Sequence, residues 1–114
     1  MKNSMIFAIA FIGLMILFGY MHEVAHKQIF TYFDVESHID MWEVYEGLPA
    51  MLTIPEEPCP NDTCHLAHSI NESIGYQLQC LFLLLGLGLF FIISIMEKQW
   101  AKKKYLIQSK RIQE

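Results

Sequence analysis

Two stretches of the chain carry no charge and almost no polar side chain: Met5 to Met21 and Cys80 to Met96, 17 residues each. A helix rises about 1.5 Å per residue, and a hydrocarbon core of about 30 Å needs about 20 residues to cross. Each stretch is short for that, but each can continue as helix past its apolar limits. A helix apolar on every face needs an apolar environment on every side. The rest of this chain is too short to wrap two such helices, so the pattern predicts two membrane spans. The residues after the first stretch, Gly19-Tyr20-Met21-His22-Glu23, hold no small-x-small cleavage pattern. The stretch is also long for a signal core, so it reads as an uncleaved anchor.

The pattern between the stretches extends these helices. No Pro, and no Gly after Gly19, interrupts the chain before Tyr32, which predicts a first helix from about 4 to about 32. In Asp34–Tyr45, the apolar positions Val35, Ile39, Trp42 and Tyr45 are spaced by 4, 3 and 3. That is one face of a surface helix, with Trp42 and Tyr45 suited to the headgroup layer. Four Pro fall between residues 49 and 60, which predicts extended, turn-rich chain. Asp62 or Thr63 can cap a second helix, expected from about 64 to about 104. Gly75, Gly86 and Gly88 fit within it, because small residues let membrane helices approach. The expected fold class is all-α. Residues 1–114 form one membrane domain, a two-transmembrane helical hairpin with spans at about 4–21 and 80–97. An outer acidic loop, 22–79, contains a short surface helix, and its insertion 33–63 caps the helix ends. A tail, 98–114, follows.

Composition adds orientation. Hydrophobic residues make up 54% and the net charge is −4, but the charges are segregated. Segment 22–78 holds ten acidic residues and a single Lys, Lys27. The tail holds six basic residues against Glu97 and Glu114. Basic residues near span ends stay cytoplasmic, so both termini are expected inside and the loop outside. The tail would also attract anionic lipid. Nucleic acid is not an expected partner, since nothing aromatic or Gly-rich accompanies the charge. The expected partners are the lipid bilayer and a second copy or other membrane helix, because two spans hide little polar surface. Cys59 and Cys64, with four residues between them, suggest a disulfide in an outer loop. Cys80, at the start of the second span, is expected as a buried small apolar residue.

The chemistry centres on His22-Glu23-Val24-Ala25-His26, an HExxH sequence. Residues four apart share a helix face, so both imidazoles can face one ion while Glu23 reaches a water beside it. A catalytic zinc site needs a third protein ligand and an open position. His65, His68 and Glu72, spaced 3 and 4, share a face of the second helix. Glu72 shortly before one span matches His22 shortly after the other. A carboxylate so near an apolar span is costly without a partner. Glu72 is therefore the expected third ligand, with His68 or His65 as alternatives. Cys59, Cys64, His65 and His68 form a competing cluster of Cys₂His₂ type, which oxidation of the Cys pair would disfavour. Left unliganded, His22 and His26 would be interfacial histidines at the end of a span. Asn61-Asp-Thr and Asn71-Glu-Ser match the glycosylation pattern, the second on a helix near the membrane.

HExxH on one helix and an Asn-Glu pair on a later one resemble the gluzincin metallopeptidases of the thermolysin type, whose later segment reads N-E-x-x-S-D. The resemblance covers about 11 of the 114 residues. It implies Zn²⁺ held by His22, His26 and Glu72, with Glu23 as general base and a peptide as substrate. Catalysis would then need an oxyanion donor, a role open to His65, His68 or Tyr76. In the family pattern the Asp orients a ligand His. This chain has Gly75-Tyr76 where the pattern has Ser-Asp, so that role would fall to Asp34 or Asp62. The HExxH is also similar to that of the site-2 protease group, whose later Asp-Gly motif is missing here. The expected function is a membrane-embedded zinc metallopeptidase working at the outer interface. The alternative is a non-catalytic metal-binding or structural subunit of a membrane complex.

Overall fold

The computed structural model describes residues 2–45 and 47–112. Two long helices, α1 (Asn3–Tyr32) and α2 (Asp62–Ile112), are joined through strands β1 (Ser37–Tyr45) and β2 (Leu48–Pro55). Both helices are long and apolar enough to cross a membrane. Their apolar side chains face outward: Ile9, Ile12, Leu84 and Phe91 are each more than half exposed. A core helix of a soluble protein would bury such residues, so this surface suits lipid contact.

The chain divides into two compact units, Met1–Gly13 with Leu81–Glu114, and Leu14–Cys80. In the first, the Glu97 carboxylate accepts hydrogen bonds from the Ser4 backbone N–H (3.1 Å) and hydroxyl (2.6 Å). A carboxylate at a helix N-terminus satisfies a free donor and opposes the helix dipole. The Phe11 ring occupies the space that a side chain at Gly86 would fill.

In the second unit, α1 stops in a Schellman motif. Val35 N–H donates to Phe30 O (2.9 Å) and Asp34 N–H to Thr31 O (3.1 Å). Asp34 takes the left-handed conformation the motif requires, with φ 58°. Val35 then packs back on Phe30, and with Cys64 these form a small buried cluster flanked by Phe33 and Cys59. The turn points the chain into a strand, so the surface helix expected over Asp34–Tyr45 is instead β1. The fold is accordingly mostly helical with a small sheet, not all-α.

β1 pairs antiparallel with β2, from Ser37↔Pro55 to Tyr45↔Leu48. Pro49 and Pro55 lie at the ends of β2, leaving residues 50–54 free of proline to donate. A bulge between Asp40 and Glu43 shifts the register. The expectation of extended chain after residue 47 thus holds for 48–55, but as a paired strand.

Cys59 and Cys64 form the expected disulfide. α2 begins where Asn61 Oδ1 accepts the Cys64 N–H (3.0 Å). Asn61 is therefore the cap, not Asp62 or Thr63. Cys80 is exposed rather than buried.

Candidate metal centre

The face of α1 that carries HExxH lies against α2 within the unit Leu14–Cys80. His22 and His26, one helical turn apart, stand edge to face with ring centroids 4.8 Å apart. Glu72 comes to both from α2: its Oε1 lies 2.9 Å from His26 Nε2 and its Oε2 lies 3.7 Å from His22 Nε2. Ligand atoms of these three residues all lie within 4.8 Å of one another, a group that could hold a metal ion. Zinc bonds of about 2.0–2.1 Å place the donors of a tetrahedral site about 3.3 Å apart. The two distances to Glu72, 2.9 and 3.7 Å, run to different oxygens of its carboxylate and lie on either side of that value. His26 is buried and the Glu72 side chain is 42% exposed, which leaves the Glu72 side open to water.

His22 owes its position to an absent side chain. Its imidazole lies where a Cβ on Gly75 would stand. Gly75 thus provides room for the His22 ring rather than only general closeness. The helical spacing Glu72–Gly75 puts both on one face, the one signal in the sequence that could have assigned the glycine this role.

His26 is held on its other nitrogen. His68 Nδ1 lies 2.6 Å from His26 Nδ1. The His68 ring stacks with that of His26 and lies tilted against Phe30, at centroid distances of 4.9 and 4.1 Å. Fixing a ligand imidazole through its second nitrogen sets its tautomer and direction. Asp34 and Asp62, the residues expected to do this, are both exposed, Asp34 in the turn after α1 and Asp62 in the first turn of α2. His68 lies before the apolar stretch 80–96. Burial, then the neighbouring His26 and His65, push its pKa below the ordinary histidine value, with Glu72 opposing. His68 is therefore neutral near pH 7, with one nitrogen able to accept. Its Nε2 is buried with no hydrogen-bond partner among the described residues.

Glu23 points to the hairpin. Its Oε2 accepts hydrogen bonds from the Thr53 N–H (2.7 Å) and hydroxyl (2.8 Å), and the hydroxyl also lies 2.8 Å from Glu23 O. Thr53 thereby fixes the carboxylate next in sequence to His22 and ties β2 to α1. Nothing in the local sequence marks Thr53 for this role; it follows from the strand pairing. Tyr76 is one turn beyond Glu72 and exposed, and His65 is exposed at the start of α2. Asn71 is half-buried and its Nδ2 is buried without a partner among the described residues. That geometry is unsuited to a glycosylated asparagine.

No family model, curated protein or solved structure matches this chain.

Proposed function

We propose that this protein is a membrane-anchored zinc metallohydrolase of peptidase type, with its site at the outer face of the membrane. The reading is carried by one observation. Two histidines of an HExxH helix and a carboxylate from the other long helix bring their ligand atoms within 4.8 Å. His22, His26 and Glu72 would hold the ion, and two imidazoles with one carboxylate form a common catalytic zinc set. When bound, zinc supplies Lewis acidity toward a water and a carbonyl.

The chain's own residues carry the remaining steps. Glu23 Oε2 is held by Thr53. A carboxylate fixed by one oxygen keeps the other for a proton: Glu23 takes it from the attacking water and returns it to the leaving amine. His68 holds His26 in the ligating direction. Tyr76, exposed beside Glu72, is the candidate oxyanion donor. The hairpin beside Glu23 supplies strand edges along which an extended peptide can lie. The charge segregation supports an orientation with both termini cytoplasmic and segment 22–79 outside.

One observation favours a second reading, a metal-binding subunit without catalysis. The hydrogen bonds from Thr53 fix the Glu23 carboxylate against β2, which is also what a purely structural side chain would show. A Glu23→Gln variant separates the two. On the first reading the purified variant retains about one zinc per chain by elemental analysis and loses cleavage of a peptide library. Equal cleavage by variant and wild type rejects Glu23 as base. Wild type free of zinc after purification in zinc-containing buffer rejects both.

A further inference from the structure

A second group of donors lies next to the first. The sulfurs of Cys59 and Cys64 and a ring nitrogen of His68 all lie within 4.8 Å of one another. His68 Nδ1 is committed to His26 at 2.6 Å, so Nε2 is the nitrogen left for this group. That nitrogen is buried and lacks a hydrogen-bond partner among the described residues. Cys64 is fully buried and Cys59 partly so. While the disulfide stands, neither sulfur is a thiolate and the group cannot ligate.

We propose that reduction of Cys59–Cys64 opens a second cation site, of two thiolates and His68 Nε2, that takes a zinc-class divalent ion in alternation with the His22/His26/Glu72 site. The alternation, though not the second site itself, rests on the reading of the first site given above.

The reductant is a dithiol. Its thiolate attacks the more accessible Cys59 sulfur and the Cys64 thiolate leaves. The second thiol of the reductant then displaces Cys59, so the reductant ends as a disulfide and the chain holds two thiols. A divalent ion binds as those thiols release two protons. Two thiolates and an imidazole suit zinc-class ions better than oxygen-seeking ones.

Alternation follows from the proton shared by two imidazoles. If His26 uses Nε2 as a ligand, its Nδ1 carries the hydrogen and donates to His68 Nδ1. His68 then carries its hydrogen on Nε2 and cannot ligate there. If His68 ligates through Nε2, its Nδ1–H donates to His26, whose hydrogen moves to Nε2. That Nε2–H has a ready acceptor in Glu72 Oε1, at 2.9 Å. Each tautomer pair arms one site and disarms the other.

The test uses the full chain in detergent micelles with Co²⁺ as the probe ion. One sample is oxidised; the other is reduced by an immobilised dithiol and separated from it without oxygen. The reduced protein should show a thiolate-to-cobalt charge-transfer band that the oxidised protein lacks, with one cobalt per chain in each state. His68→Ala should weaken the reduced-state affinity at least tenfold with both thiols still titratable, whereas Glu72→Gln should keep the band. If His68→Ala loses helicity by circular dichroism, Cys64→Ser is the substitute and should abolish the band. Absence of the band on reduction, or a band indifferent to His68→Ala, overturns the site. Two cobalt ions bound together per reduced chain overturn the alternation. An oxidised protein that binds no cobalt defeats the reading of the first site, while the band on reduction still decides this one.

Discussion

A side chain can be placed by what its neighbour lacks, and His22 beside Gly75 is the case here. The His22 ring fills the position of a Cβ on Gly75, reaching within 3.4 Å of it even at Nε2. Gly75→Ala would therefore turn or displace the imidazole. The expected result is a loss of zinc affinity of roughly 10–100-fold, the range for disturbing the shell behind a ligand, measured by calorimetric titration in micelles. Gly88→Ala, where a Cβ meets nothing within 4 Å, should leave affinity unchanged. Equal affinities for the two variants would remove Gly75 from the site. His22, His26 and Glu72 could be named from residue type and helical spacing, because that geometry is local to each helix. The contacts of His26 with His68 and of Glu23 with Thr53 could not. They depend on how α2 is rotated against α1 and on which strand residue reaches the helix, and neither is encoded in spacing.

Element by element, the two helices were legible because their signals are long and redundant: unbroken apolar runs, with proline only outside them. The sheet was not. Val35, Ile39, Trp42 and Tyr45 fit a helical face, while the bulge between Asp40 and Glu43 breaks the alternation that would have marked a strand. What decides the outcome is the stop at Asp34, where a left-handed residue ends α1, and a proline-free stretch of β2 able to pair. Thr53 then secures the hairpin to α1. Thr53→Val keeps the shape and the backbone N–H but removes the hydroxyl bonds to Glu23. It should cost about 1 kcal/mol and speed amide exchange across residues 48–55 by several-fold, read by mass spectrometry. Unchanged exchange would show that the hairpin is held by other contacts. In the other unit, Gly86→Ala forces a Cβ into the Phe11 ring. It should destabilise the chain by about 1–3 kcal/mol, as overpacking does, in a denaturation series where Gly88→Ala serves as the control.

At the scale of the whole molecule, what stands out is how little is buried. Among the described residues only Phe30, Val35 and Cys64 form a buried apolar core, and the two long helices present apolar side chains outward. Lipid or detergent can cover the apolar helices, but the part of the chain between them needs other fastenings. The disulfide is one: closing so short a loop is worth about 2 kcal/mol in the chain-entropy account. A bound ion joining α1 to α2 through His22, His26 and Glu72 would be another, worth about 2.7 kcal/mol when free zinc is 100 times its Kd. Stability should therefore follow free zinc. In the oxidised protein, added zinc should raise the melting temperature seen by circular dichroism in micelles, and a chelator should lower it. Glu72→Gln should abolish most of the response while leaving the unliganded melting temperature close to wild type. Its amide can still hydrogen-bond His26 Nε2, which lies 2.9 Å from Glu72 Oε1, so the variant removes a carboxylate charge without orphaning the histidine. A chelator-insensitive melting curve would mean that His26, Glu72 and His68 satisfy one another without an ion, and that the hydrogen bonds between these side chains are the fastening.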